Sequence, residues 1–473
     1  MPPLPSDPAG LTIAQASSAI RGGELSPVEL AQAHLARIER LNPRLNAYVL
    51  VTAERALAEA RAAEAEIASR GRRGPMHGVP FALKDLYDTA GIVTAGGTKV
   101  LAERVPERDA TVTRRLREAG AVLLGKTNTH EAAYGVTTDN PHFGRTHNPW
   151  SAERIPGGSS GGSGAAVAAR MAPMAMGTDT GGSIRDPATL NGVVGLKPTF
   201  GRVSKAGVLP LSWRNDHAGP LTHTVEDTAI VLEAIAGYDP DDAATVPVPV
   251  PSYTGQLGGD VRALRVGVAR AFFFDHLHDG VRAALEEAIN VVRGLGCAVR
   301  DVRVDGMEAG AGYLHHMVLA DAQEIYAPFL PERLGDFGPD VAAHLATPPP
   351  DGVALARAMR GADEVSAELR RTLEGVDALI TPTLPIPAPR FGEDVVAYGG
   401  VEEPTLFALS RCTIPFNLSG LPALSVPCGF TAEGLPVGMQ IVARPFDEAT
   451  ALRLGHAYQQ ATQWHEATPP GVG

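Results

Sequence analysis

The chain has 473 residues, of which 44% are hydrophobic and 20% charged, and its formal net charge is -12. This composition is typical of a globular protein with a large core, and the acidic balance argues against nucleic acid as a partner. No uninterrupted apolar run of about 18 residues occurs, so we expect no transmembrane helix and no membrane partner.

Cysteines and the first residues of the chain bear on metal binding and location. Cys297, Cys412 and Cys428 are odd in number and lack CxxC spacing, which argues against a disulfide framework and a zinc site. No pair of histidines has metal-ligand spacing with a third partner in sight. Residues 1–7 have neither the basic start nor the apolar run of a secretory signal. We therefore expect a cytoplasmic protein that holds no metal.

Helices are predicted first along the chain, over residues 9–70. Ser26 is the expected N-cap of one of them, because Pro27 suits the first helical position and Glu29 can complete a reciprocal capping box. Apolar residues at helical spacing follow this start signal. A second, alanine-rich helix is predicted over residues 53–69.

Alternating strands and helices are predicted in the next segment, residues 71–240. An apolar strand over residues 79–83 leads into Lys84, a helix covers residues 110–119, and a buried strand covers residues 121–125. Such alternation predicts a largely parallel or mixed sheet covered by helices.

The second half of the chain is predicted to return to the same core after an insertion. A strand over residues 263–269 and a helix over residues 280–295 come first. Residues 305–375 are predicted to be helical and carry no recognisable motif, so we treat them as a variable cap. A strand over residues 376–383 opens a C-terminal part of the core that reaches about residue 465.

Two islands rich in glycine and serine are the most informative feature of the sequence. They cover residues 157–164 and 177–185, and the apolar segment 165–176 joins them. Glycine costs backbone entropy, so a cluster of this kind needs a reason. Glycines allow backbone N–H groups to turn toward one point, and serines supply hydroxyls for nucleophilic chemistry. The islands therefore predict an oxyanion site.

Lys84 and Ser183 are the first candidate reactive residues. Burial at the end of an apolar strand would lower the pKa of Lys84, and a neutral lysine can act as a general base. The ordinary alternative is a surface lysine paired with Asp85 or Asp88. Ser183 follows two consecutive glycines whose N–H groups can form an anion-binding nest, although an ordinary Gly-Gly-Ser turn has the same pattern.

Ser159 and Ser160 lie in the first island, directly before helix-forming residues. A glycine loop that opens a helix presents backbone donors outward, which a flexible linker would not. The island also matches the G-x-S-x-G nucleophile elbow around Ser159 and Ser160. In so glycine-rich a run this match carries little weight, and the residues before it make a poor strand.

Lys84, Ser159 and Ser183, in this order and in these settings, resemble the amidase signature family. The resemblance covers about residues 9–240 and 376–465 and leaves the middle region unmatched. The matching segments are residues 78–85, 125–128, 148–150, 157–164, 177–185, 192–199, 201–204, 417–422 and 434–440.

The resemblance implies a fold as well as a chemistry. We expect the α/β amidase signature fold, a large mixed β-sheet core covered on both faces by α-helices, as one domain over residues 1–473. This expectation replaces the three domains that length alone suggests. A homodimer is also implied.

The implied chemistry is a Ser–Ser–Lys triad. Ser183 would be the nucleophile, Ser159 the bridging serine at a cis peptide bond, and Lys84 the base that draws the proton through Ser159. Ser159 would later pass that proton to the leaving amine, and water would hydrolyse an acyl-enzyme on Ser183, without a cofactor. The N–H groups of the oxyanion hole would be those of Thr180, Gly181, Gly182 and Ser183.

The substrate expected from the resemblance is a small amide, aryl amide or carbamate. Asp186 departs from the family's pattern three residues after Ser183, where it could alter the pocket or pair with Arg185. Candidate residues of the substrate pocket are Tyr134, Thr137, Ser160, Trp213, Tyr313 and Phe416.

Two alternative functions remain open at this point. The glutaminase chain of a tRNA-dependent amidotransferase shares the two islands. The present chain lacks the tyrosine-rich middle segment expected of that glutaminase, and no glutamine follows Arg185. The second alternative is an α/β-hydrolase-like esterase that uses Ser160 with a histidine.

Overall fold

One large mixed sheet organises residues 7–472, which are the residues that the computed structural model describes. Its eleven strands, within these residues, lie in the order β1-β3-β2-β6-β8-β7-β14-β15-β11-β9-β10. Two-stranded sheets pair β4 with β5 and β12 with β13. The strands are β1 (Tyr48–Val51), β2 (Pro80–Lys84), β3 (Val122–Thr127), β4 (Asp139–Asn140), β5 (Gly144–Arg145), β6 (Met174–Asp179), β7 (Val194–Lys197), β8 (His217–Thr222), β9 (Arg265–Ala269), β10 (Ala298–Val302), β11 (Ala378–Pro382), β12 (Val395–Tyr398), β13 (Val401–Pro404), β14 (Ala423–Phe430) and β15 (Pro436–Ala443).

Helices flank this sheet, and the predicted fold class is confirmed. The helices are α1 (Ile13–Gly22), α2 (Pro27–Leu45), α3 (Ala53–Arg70), α4 (Thr111–Glu118), α5 (Gly161–Ala168), α6 (Arg185–Asn191), α7 (Val225–Ile235), α8 (Asp279–Gly294), α9 (Gly310–Tyr326), α10 (Pro339–Ala346), α11 (Gly352–Gly375), α12 (Thr405–Ser410), α13 (Ile414–Leu418) and α14 (Glu448–Ala461). Along residues 7–472, no helix has both the length and the apolar character needed to cross a bilayer. Part of the N-terminal segment without a predicted signal, residues 1–6, lies outside the described residues.

The central strands are buried on both faces, because their alternate side chains enter different cores. In β2, Phe81 and Leu83 belong to one hydrophobic cluster, whereas Ala82 belongs to a second cluster that includes α5. Successive side chains of a strand point to opposite faces of a sheet. By the same alternation, Lys84 points to the face of Ala82 and therefore toward α5.

Strand direction brings the two glycine islands to the same edge of the sheet. β2 runs parallel to β6, with Leu83 beside Met176. The carboxyl ends of the two strands, Lys84 and Asp179, therefore lie at one edge, where open α/β sheets bind their ligands. The loop that carries Ser183 starts directly after β6.

Local signals predicted most of the elements near the N-terminus. The capping box of Ser26 and Glu29 is present, with Pro27 as the first residue of α2. The helix predicted over residues 53–69 is α3. The expectation that residues 9–70 are helical throughout is wrong, because β1 lies among them and pairs with β3. A strand of four residues at a sheet edge is too short to show a period.

Candidate active site

Lys84 is completely buried, and its side chain faces the first island. Its Nζ atom hydrogen-bonds to the Ser159 hydroxyl over 2.6 Å and to the Thr178 hydroxyl over 2.8 Å. Burial lowers the pKa of Lys84 well below its usual range, although the negative charges of Asp216 and Asp179 oppose the shift. The environment thus favours a neutral amine that can exchange a proton with a hydroxyl.

The alternative in which Lys84 is a surface lysine paired with Asp85 or Asp88 is wrong. Asp85 is paired with another buried lysine, Lys126, at 3.1 Å. Asp88 is paired with Arg104 at 2.5 Å. The nearest polar partners of Lys84 are therefore uncharged hydroxyls.

Ser159 is held by a loop that has no space for a larger residue before it. The Gly158–Ser159 peptide bond is cis, as the resemblance implies. A Cβ atom on Gly158 would lie 2.6 Å from the backbone carbon of Val136, so only glycine fits. The Ser159 carbonyl accepts hydrogen bonds from the His130 N–H and the Thr129 hydroxyl, each over 3.0 Å. These contacts orient the Ser159 side chain toward Lys84.

The second island places Ser183 next to the first. The Ser160 N–H donates to the Ser183 carbonyl over 3.2 Å, which joins the two loops. Gly182 has φ of +147°, and a Cβ atom there would lie 2.3 Å from Asp186 Oδ1. Among residues 7–472, no hydrogen bond joins the hydroxyls of Ser183 and Ser159. Catalytic hydrogen bonds are often formed only once substrate is bound.

The backbone donors of the predicted oxyanion hole are not used within the fold. In the described part of the chain, the N–H groups of residues 180–183 donate to no protein acceptor, whereas the next two N–H groups donate to Asp179. Unused donors at a glycine turn beside a serine can stabilise a developing negative charge on oxygen.

A buried ion pair fixes the loop that carries Ser183. Arg185 binds the Asp179 carboxylate through Nε at 3.0 Å and Nη2 at 2.9 Å, and neither side chain is exposed to solvent. Burial alone would raise the pKa of Asp179, but the Arg185 charge outweighs it and the pKa lies far below the usual range. Gln440 and Asn417 accept the remaining side-chain donors of Arg185, at 2.7 and 2.6 Å.

Sequence reasoning missed this supporting network. Asn417 and Gln440 belong to segments that carry the resemblance, residues 417–422 and 434–440, so a signal was present. Their distance of more than two hundred positions from Arg185 gave no reason to join them.

A cavity of about 90 Å³ lies beside Ser183. Its walls are mostly apolar. Leu314 and Val318 of α9 contribute to them, so the predicted variable cap forms part of the cavity. The polar side chains along it include Tyr134, His315 and Asp186, and no lysine or arginine lines it within the described residues.

The other predicted pocket residues lie outside this cavity. Phe416 is wrong as a pocket residue, because it is fully buried and stacks on Phe273 with ring centroids 5.6 Å apart. Tyr313 is also wrong, since it lines a separate surface cleft with Gly361. Trp213 is 56% exposed and lines a neighbouring cavity of about 520 Å³. Thr137 lines a third cavity and contacts His130.

Ser160 points away from the cavity. Its hydroxyl donates to the Thr178 carbonyl and accepts from the Thr178 N–H, each over 3.2 Å. Both bonds occupy this oxygen inside the fold, which argues against an esterase that uses Ser160 as nucleophile.

Comparison with known proteins identifies the family. The family model described as Amidase matches residues 29–452. The chain belongs to the amidase signature family. The match includes the middle region that the sequence analysis expected to be unmatched, so that expectation is wrong. Within residues 7–472, no group of three or more metal-binding side chains could hold an ion.

Relatives of this amidase-family chain carry several functional descriptions. It is 42% identical to a component chain of the Glutamyl-tRNA(Gln) amidotransferase of Chloroflexus aggregans, over 97% of this chain and 98% of that protein. A solved structure from a vestigial complex that reveals the origins of an s-triazine catabolic enzyme has a TM-score of 0.91 and 34% identity, over 95% of this chain and 98% of that one. The peptide amidase of Stenotrophomonas maltophilia has a TM-score of 0.83 and 33% identity, over 98% of each chain.

Proposed function

We propose that the protein hydrolyses the C–N bond of a small amide through an acyl-enzyme on Ser183. The observation that carries this proposal is the hydrogen bond of 2.6 Å between Lys84 and Ser159, made where the lysine is fully buried. A serine hydroxyl is a weak nucleophile until a base removes its proton. Lys84 supplies that base, and Ser159 connects it to the loop that carries Ser183.

Acylation proceeds with a proton moving through Ser159. The Ser183 oxygen attacks the amide carbonyl carbon, its proton passes to Ser159, and the Ser159 proton passes to neutral Lys84. The carbonyl oxygen takes the negative charge and faces the free N–H groups of residues 180–183. Ser159 then protonates the amide nitrogen and regains a proton from Lys84, the C–N bond breaks, and the amine leaves.

Deacylation repeats the same steps with water. Water attacks the Ser183 ester, its proton passes through Ser159 to Lys84, and the relay returns a proton to the Ser183 oxygen as the ester bond breaks. The products are a carboxylic acid and the free enzyme. An amide leaves poorly unless its nitrogen is protonated, so a relay that works in both directions suits this bond.

The walls of the cavity favour an uncharged or cationic substrate of low polarity. Leu314, Val318 and Ile414 supply apolar surface beside Ser183. A free carboxylate would enter this space without a cationic side chain to pair with, at a substantial cost in desolvation. Aliphatic amides, aryl amides and carbamates of small size meet these requirements.

A second candidate is the glutaminase chain of a tRNA-dependent amidotransferase. The printed names of relatives at 41–42% identity favour it over the first candidate. It would use the same Ser183 acyl-enzyme on glutamine and pass ammonia to partner chains. The composition of the cavity favours the first candidate, because glutamine carries an α-carboxylate and no lysine or arginine of the described residues lines the cavity.

One experiment separates the two candidates. The purified chain is incubated without partners with anilides, primary amides, aryl carbamates and L-glutamine, and the released amine or ammonia is measured. The first candidate predicts turnover of at least one uncharged amide or carbamate and none of glutamine. Turnover of glutamine alone, or activity only after partner chains are added, would support the second candidate instead.

A further inference from the structure

Asp186 is a buried carboxylate with an unfilled valence in the cavity beside Ser183. It follows Ser183 by three residues, near the start of α6, and only 1% of its surface is exposed. Among the described residues, its Oδ1 atom has no hydrogen-bond partner. The same residue lines the cavity together with Ser183.

No cation of the protein neutralises this carboxylate. The neighbouring Arg185 does not pair with it as the sequence suggested, because its side-chain donors reach Asp179, Gln440, Asn417 and a backbone carbonyl. No lysine or arginine of residues 7–472 lines the cavity.

Such an arrangement is costly unless a ligand supplies the missing charge. A buried carboxylate without a partner loses its hydration and gains nothing in return. Burial raises the pKa of Asp186 well above its usual range and the negative charge of Asp179 adds to the shift, so the uncharged acid is favoured until a cation arrives. Buried polar atoms that face a cavity are hydrogen-bonded in most proteins once the ligand is present.

The remaining walls suit an amine on a short apolar stem. Leu314, Val318 and Ile414 can cover methylene groups. His315 also lines the cavity, and burial lowers its pKa below the ordinary value of 6.5, so at neutral pH it is uncharged and does not repel a cation.

We infer that Asp186 binds the protonated amine of the substrate and makes this enzyme selective for amides that carry a basic amino group. The inference rests on the proposed function in that Asp186 and the reacting Ser183 share one cavity. Asp186 receives two N–H bonds from the ammonium in the bound state, and the apolar walls hold the chain between the amine and the amide carbonyl.

Binding can be measured without turnover. In the Ser183→Ala variant, calorimetry compares n-butylamine with 1-butanol, which has the same size and no positive charge at neutral pH. We expect the amine to bind at least about tenfold more tightly, since hydrogen bonds to charged groups are the stronger ones. Adding Asp186→Asn, which keeps the shape, should abolish the difference.

A matched control removes a negative charge from a neighbouring cavity. Asp340 lines the third cavity and is paired with His130 at 2.8 Å. Asp340→Asn in the Ser183→Ala background should keep the preference for the amine. Equal binding of amine and alcohol without the Asp186 substitution, or loss of the preference in both aspartate variants, would overturn the inference.

Turnover distinguishes this inference from the proposed function. The wild-type enzyme is compared on 5-aminopentananilide and hexananilide, which differ only in a terminal amine or methyl group. We expect kcat/KM to be at least about tenfold higher for the amine, mainly through KM. Absence of turnover of both anilides with the amine preference in binding intact would overturn the proposed function alone, and equal kcat/KM values would overturn the role of Asp186.

Discussion

The Nζ atom of Lys84 lies 2.6 Å from the hydroxyl oxygen of Ser159, and neither side chain is exposed to solvent. The same nitrogen contacts a second hydroxyl, that of Thr178. A lysine that has two hydroxyl partners and no carboxylate partner loses most of the stabilisation of its positive charge. The contact therefore couples a neutral amine to a serine at the edge of the sheet.

Replacement of Lys84 should impair amides more than activated esters. Lys84→Ala removes the base, and removal of a general base costs about 10²–10⁴ in rate. We expect a loss of this size in kcat/KM for an anilide and a smaller loss for a nitrophenyl ester, whose leaving group needs no proton. Steady-state kinetics on both substrates measure the ratio. The surface variant Lys99→Ala should keep both activities, and equal losses in Lys84→Ala would count against the relay.

The buried amine should also give the protein a specific pH dependence of stability. The pKa of Lys84 is lowered in the folded state from its ordinary value of 10.5. Between the two values the unfolded chain binds one proton more at this residue, so the free energy of unfolding rises with pH. Relative to Lys84→Met, the wild type should gain up to about 1.4 kcal/mol per pH unit in this window.

Urea unfolding of both proteins at several pH values below 10.5 measures this gain. Other groups titrate in both proteins, so their contributions cancel in the difference. A difference that does not change with pH would mean that Lys84 is charged in the folded protein.

The ion pair of Asp179 and Arg185 should be essential for stability. Arg185→Met leaves the Asp179 carboxylate buried without its cation, which costs about 3–5 kcal/mol in buried pairs. Urea or thermal unfolding measures the loss. The exposed pair of Arg262 and Asp260 has the same separation of 2.9 Å, and Arg262→Met should leave the midpoint of unfolding unchanged. Similar midpoints for the two variants would contradict this role of the buried pair.

Gly182 should tolerate no side chain. A methyl group there would meet Asp186 Oδ1 at 2.3 Å, and φ of +147° disfavours alanine in any case. Gly182→Ala should displace the N–H groups beside Ser183 and lower kcat by about 10²–10³, the cost of losing an oxyanion donor. Gly10→Ala, at a position with open space, is the control. Undiminished kcat in Gly182→Ala would show that these donors take no part.

The sequence was most informative where chemistry depends on local order. The two glycine islands and the apolar run before Lys84 predicted a site at one edge of a sheet, and β2 and β6 do run parallel with their ends together. The capping box at Ser26 was equally local and is present.

Features that depend on distant contacts could not be predicted in this way. Phe416 has the composition of a pocket residue, but its ring packs on Phe273 in the core. Asp186 and Arg185 are adjacent in sequence, yet Arg185 turns to Asp179 because that carboxylate lies at the end of β6. The part of α9 in the cavity wall likewise depends on tertiary packing, since no motif marks Leu314.

The most direct test of the proposed mechanism is the position of the acyl group. The wild-type protein, Ser183→Ala and Ser160→Ala are treated with an activated aryl carbamate, whose carbamoyl adduct hydrolyses slowly, and are examined by intact-protein and peptide mass spectrometry. We predict one carbamoyl adduct on Ser183 in the wild type and in Ser160→Ala, and none in Ser183→Ala. An adduct on Ser160, or an adduct that persists in Ser183→Ala, would contradict the mechanism.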